Sequence, residues 1–113
     1  MVDWTPAETA AALEKHDIVL IDVREPHEYS EARIAGALNF PLSTFDPAAL
    51  PTSAGREVVL HCGTGKRSGM ALAKCKAASV PVTIHLGGGI TAWKQAGLAT
   101  LSVDPSTGQI KRS

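Results

Sequence analysis

Apolar residues gather into three runs that show little polar alternation: Ile18 to Val23, the segment "VVLHC" ending on Cys62, and "VPVTIHLGG" at residues 80–88. A strand that is apolar at successive positions is covered on both faces, which is the pattern of a parallel sheet. Segments of helical character lie between these runs. "TPAETAAALEK" opens with Thr5 as a cap, Pro6 at the first helical position and Glu8 three residues after the cap, as in a capping box. Ser68 to Ser79 carries Met70, Leu72, Ala73 and Cys75 in helical rhythm, and "GITAWKQAG" reads as a short helix closed by Gly97. The weaker segments give one or two helical turns in "PHEYSEARI", a short strand at Ala37 to Asn39 and a further turn in "DPAALP".

The resulting order is helix, strand, helix, strand, helix, strand, helix. Such alternation predicts an α/β fold with a parallel sheet and helices on both of its faces, where ligands bind beyond the carboxyl ends of the strands. Residues 1–100 read as one domain. Residues 101–113 read as a tail whose "DPSTG" cluster marks a turn, giving either a hairpin or a frayed end.

Composition narrows the classes of function. A chain of 113 residues suits a single core and therefore a single site. Eleven basic and eleven acidic residues leave no net charge, which argues against nucleic-acid or anionic-membrane partners. No apolar run approaches the roughly 20 residues that span a bilayer, and no leader pattern opens the chain, so a cytoplasmic protein is expected. Two cysteines, Cys62 and Cys75, are too few for a disulfide framework and predict free thiols.

The chemistry concentrates in "CGTGKRSG". With the strand ending at Cys62 and a helix starting near Arg67 or Ser68, residues 63–67 curl so that backbone N–H groups surround the sulfur as an anion nest. The helix N-terminus, Lys66 and Arg67 add positive charge, and all three favour thiolate over thiol. Gly63 and Gly65 leave room for positive φ or for close approach of a ligand. The expectation is a Cys62 pKa below the free value of about 8.5 and a nucleophile ionised near neutral pH. Cysteine phosphatases place five residues between cysteine and arginine. Here four residues separate Cys62 from Arg67, and Ser68 holds the phosphatase arginine position.

"CGTGKRSGMA" after an apolar strand resembles the active-site loop of the rhodanese family of sulfurtransferases. "IDVREPHEYSEARIAGALNFPL" and "LGGGITAWKQAGL" are similar to two other signature regions of that family, in the same order. The resemblance implies a small domain around a parallel five-stranded sheet. It also implies that Cys62 takes sulfane sulfur as a persulfide and passes it to a thiophilic acceptor, either cyanide or a cellular thiol. In this scheme the amides of Gly63, Thr64, Gly65, Lys66 and Arg67 cradle the persulfide. Arg67, and secondarily Lys66, hold an anionic donor, with thiosulfate favoured over mercaptopyruvate by the two cations. No metal or organic cofactor is implied. A protein sulfur acceptor is a further partner, and the second reading is a persulfide carrier or redox-sensing module that works only with such a protein. Arg33 stands where family members often have histidine, so no role transfers to it.

The remaining polar residues have plainer readings. Asp22 and Arg24 close the first buried strand as a structural pair. Cys75 lies about 10 Å along its helix from the loop, a core position out of disulfide reach. His61 and His85 fall within strands and read as packed side chains. Gly87, Gly88 and Gly89 read as a strand-to-helix bend, and Trp4 and Trp93 as covers for the two ends of the core.

Overall fold

A computed structural model describes residues 1–113. The central sheet has five strands, all parallel: β1 (Val2–Trp4), β2 (Ile18–Asp22), β3 (Leu38–Asn39), β4 (Glu57–His61) and β5 (Ile84–Leu86). Their spatial order is β1-β5-β4-β2-β3. The helices are α1 (Pro6–Glu14), α2 (Pro26–Glu31), α3 (Lys66–Ala77) and α4 (Gly89–Gln95). Two 3-10 turns, Leu42–Thr44 and Pro47–Ala49, lie between β3 and β4, so "DPAALP" forms a turn but not an α-helical one.

The unbroken apolar centres of β2 and β4 have the expected cause. Alternate side chains enter separate cores on the two faces of the sheet, and the inner strand positions are buried on both. One core joins Ile21, Val58, Leu60 and Cys62 to Ala71, Leu72 and Cys75 of α3. The other joins Ile18, Leu20, Val59 and Leu86 to Ile34, Ile90 and Trp93, with Trp4 packed against it. Trp4 and Trp93 therefore pack on one core and do not close two opposite ends.

The capping box at α1 forms as expected. Glu8 N donates to Thr5 Oγ1 at 3.1 Å, and Thr5 N donates to Glu8 Oε1 at 3.0 Å. Strand β1 has no counterpart in the predicted order. It is three residues long with a charged centre, and it becomes a strand by pairing with β5, Asp3 opposite His85. The third buried run is shorter than expected, because Pro81 supplies no N–H and Val82 N instead donates to Val80 O at 2.8 Å. Beyond residue 100 the chain forms an antiparallel hairpin of β6 (Leu101–Val103) and β7 (Ile110–Arg112). Leu101 and Arg33 exchange two backbone hydrogen bonds of 2.8 Å that tie this hairpin to the residues after α2.

Candidate active site

Cys62 is the first residue after β4, at the carboxyl edge of the sheet, and is 1% exposed. Gly65 takes φ +105°, which turns the chain into α3 and brings its amide to donate to Cys62 Sγ at 3.1 Å. Helix α3 starts at Lys66, ahead of the expected start, so Lys66 and Arg67 lie in its first turn. Ser68 Oγ lies 3.6 Å from the sulfur.

These groups set the ionisation of the thiol. Burial pushes the Cys62 pKa up, but hydrogen bonding with the Ser68 hydroxyl and with the amides of Ser68, Gly65 and Thr64 outweighs burial and holds it below the usual thiol value. Of the expected cradle of Gly63 to Arg67, Gly65 places its amide on the sulfur. Ser68, which lies outside that expected set, places its hydroxyl beside the sulfur as well. Gly63 contributes space, since a Cβ there would sit 3.2 Å from an Arg67 terminal nitrogen.

The two cations differ in their surroundings. Lys66 is exposed. Arg67 is not free at the mouth of the loop, because its terminal nitrogens donate to Glu28 Oε1 at 2.6 Å and Glu28 Oε2 at 2.9 Å. Those hydrogen bonds hold the Glu28 carboxyl at about 2 and raise the Arg67 pKa.

The loop is held from outside by α4. Ile90 N donates to Cys62 O at 2.9 Å, and Thr91 N donates to Gly63 O at 3.1 Å. Gly89, at φ +58°, lies so close that a Cβ there would overlap the Cys62 carbonyl oxygen and sit 2.7 Å from Gly63 C. The three glycines are therefore more than a bend. One of them lets α4 touch the cysteine loop, a role that only the folded contact reveals.

The polar residues behind the loop divide into structural and site-facing groups. Asp22 accepts from the Arg24 amide at 2.9 Å and from the Arg24 guanidinium at 2.8 Å, and Arg24 also donates to Ala32 O at 2.6 Å, which is the structural pairing expected. Burial lowers the His61 pKa, its Nδ1 donates to Cys62 O at 3.2 Å, and its Nε2 faces Asp22 Oδ2 at 3.5 Å without a hydrogen bond. Cys75 is buried in the α3-side core, and that burial raises its pKa. His85 is different from all of these, because its Nδ1 lies 2.7 Å from Ser68 Oγ. Nothing in the local sequence marks His85, which reaches the cysteine loop only through the pairing of β5 with β4.

A buried thiol at a strand end, ringed by amides ahead of a helix, is common to more than one thiol chemistry. The rhodanese-like domain profile matches residues 5–96, most of the chain and all of this site. The chain belongs to the rhodanese-like domain family.

Relatives agree with this membership. The chain is 46% identical over 84 residues to an uncharacterized protein of Synechocystis sp., covering 74% of this chain and 47% of that protein. It is 33% identical over 82 residues to a sulfurtransferase of Allochromatium vinosum, covering 73% and 77%. The solved thiosulfate sulfurtransferase of Pseudomonas aeruginosa superposes with a TM-score of 0.75 at 28% identity, covering 89% of this chain and 19% of that one. The chain thus spans about half of the first relative and a fifth of the third. Rhodanese-like relatives bear sulfurtransferase names, and this rhodanese-like domain presents one cysteine at the carboxyl edge of its sheet.

Proposed function

We propose that this rhodanese-like domain is a sulfurtransferase in which Cys62 is the nucleophile and thiosulfate the favoured donor. The observation that carries the reading is the polar setting of one buried sulfur at a strand end: the Gly65 amide donates to it at 3.1 Å, and the Ser68 hydroxyl lies 3.6 Å from it. Together they favour the thiolate despite its burial. Many weak donors also suit a polarisable persulfide, whose charge is spread over two sulfurs.

The chemistry balances without an added oxidant. The Cys62 thiolate attacks the outer sulfur of thiosulfate, an S–S bond forms to Cys62, and the donor S–S bond breaks as sulfite leaves with its electron pair. Cyanide or a thiolate then attacks the terminal sulfur. The acceptor leaves as thiocyanate or as a persulfide, and the Cys62 thiolate is regenerated. In this reading Gly63, Thr64 and Gly65 shape the sulfur cradle, while the exposed Lys66 draws the dianionic donor to its mouth and Arg67 joins it on release from Glu28. The step calls on no metal or organic cofactor.

The 1% exposure of Cys62 supports a second reading, a persulfide carrier that delivers sulfur only to a docked protein. Intact mass after incubation with thiosulfate is expected to rise by one sulfur in the native chain and not in Cys62→Ala. Steady-state formation of thiocyanate from thiosulfate and cyanide separates the two readings: turnover supports the enzyme, and a stable persulfide without turnover supports the carrier.

A further inference from the structure

The hydrogen bonds that begin at Cys62 continue through the sheet to the surface. His85 on β5 has a side chain only 6% exposed, and both of its ring nitrogens have partners. Nε2 lies 2.8 Å from Asp3 Oδ1 on β1, and Nδ1 lies 2.7 Å from Ser68 Oγ on α3. A carboxylate only accepts hydrogen bonds, so the neutral tautomer that fits this contact carries its proton on Nε2 and accepts at Nδ1. The Ser68 hydroxyl donates to that nitrogen, its other acceptor being Gly65 O at the longer distance of 3.2 Å. The lone pairs of Ser68 then face the Cys62 thiol at 3.6 Å. Every link in the line has a defined direction, from thiol to hydroxyl to imidazole to carboxylate.

We infer that Ser68, His85 and Asp3 form a proton relay that removes the proton of the Cys62 thiol and carries it toward solvent. The S–H bond breaks as its proton passes to Ser68 Oγ, and the Ser68 proton passes to His85 Nδ1. The products are a Cys62 thiolate that accepts from Ser68 and Gly65, and a His85 imidazolium held against the Asp3 carboxylate. No electrons change hands. Asp3 is 66% exposed, so the far end of the line exchanges with water while the sulfur stays buried. This meets a demand that burial creates, since a thiol that is 1% exposed has little water beside it to take its proton.

The surroundings of His85 leave this path unopposed. Its neighbour on β4 is Leu60, its neighbour on β1 is Asp3, and α3 presents Ser68. Asp3 is the charged side chain paired with it, while Arg67 is turned to Glu28 and Lys66 is exposed. Asp3 also precedes the residues matched by the family profile, so it is a feature of this chain's first strand. Ser68 touches the reacting sulfur. His85 and Asp3 act through it as positioning residues.

The inference rests on Cys62 as the nucleophile, and its test separates the two. Iodoacetamide alkylation of the intact chain is followed against pH, with the Cys62 and Cys75 peptides resolved by mass. Asp3→Asn keeps the acceptor oxygen and removes the charge. His85→Asn puts an amide oxygen near the position of Nδ1 but cannot take a proton. The midpoint for Cys62 is expected to rise by about one pH unit in Asp3→Asn, roughly a tenfold slower reaction near neutrality, and by more in His85→Asn. A purely structural role would lower stability and leave the midpoint where it was. Midpoints that coincide with the native chain overturn the relay, whatever the persulfide yield. Shifted midpoints in a chain that gains no sulfur from thiosulfate uphold the relay and reject the sulfurtransferase reading.

Discussion

Glu28 and Arg67 are the pair through which a surface charge reaches the candidate site, and one substitution reads both of its consequences. Hydrogen bonds from Arg67 hold the Glu28 carboxyl at about 2, against an ordinary 4.5. A carboxylate with a depressed pKa adds stability that is fully present above about pH 4.5 and is lost as pH falls toward about 2. The Glu28 and Arg67 side chains are 28% and 34% exposed, so solvent screening limits the effect to about 1 kcal/mol or less. Urea unfolding of Glu28→Gln is therefore expected to show a deficit near pH 5 that narrows by about pH 2.5. The same variant releases the Arg67 guanidinium while keeping its charge. Under the proposed function, KM for thiosulfate is expected to stay level or fall in Glu28→Gln, measured beside the unfolding curves.

At the scale of elements, the contact between α4 and the cysteine loop decides how well the sulfur is held. Gly89 combines φ +58° with a Cβ position that overlaps Cys62 and Gly63 backbone atoms, so Gly89→Ala must displace either the loop or the helix. We expect a loss of about 3 kcal/mol in urea unfolding and slower alkylation of Cys62. Gly97→Ala is the control. It has φ +79° and nothing within 4 Å, so it is expected to cost about 1 kcal/mol and leave Cys62 unchanged. This contact also marks the limit of what the sequence could disclose. Strands β2 and β4, the capped start of α1 and the cysteine loop were legible because each is written in adjacent residues. Strand β1 and the role of His85 were not, because Asp3 and His85 are 82 positions apart and meet only when the sheet pairs. Arg67 was legible as a cation but not as the partner of Glu28, which is 39 positions away.

For the molecule as a whole, the question is whether the hairpin belongs to the unit that builds the site. The sulfur site is assembled from β4, β5, α3 and α4, while the hairpin attaches after α2 through Arg33 and closes through the reciprocal bonds of Thr100 with Ser113, both 2.8 Å. Its apolar residues bury little, with Val103 37% and Ile110 64% exposed. Leu101 and Arg112 help to line a shallow cavity of about 250 Å³ beside Leu13, Ile34 and Trp93, so some cover of that core comes from the hairpin. Removing residues 104–113 leaves Leu101 bonded to Arg33 and the whole sheet intact. The truncated chain is expected to unfold cooperatively with a loss of about 1 kcal/mol, a fall in Tm of roughly 4–8 °C. The Cys62 alkylation profile is expected to overlay that of the full chain, because none of the groups bonded to the sulfur lies beyond Ser68. A displaced profile would mean that the hairpin fixes the position of α4, and through Ile90 and Thr91 the backbone on which Cys62 sits.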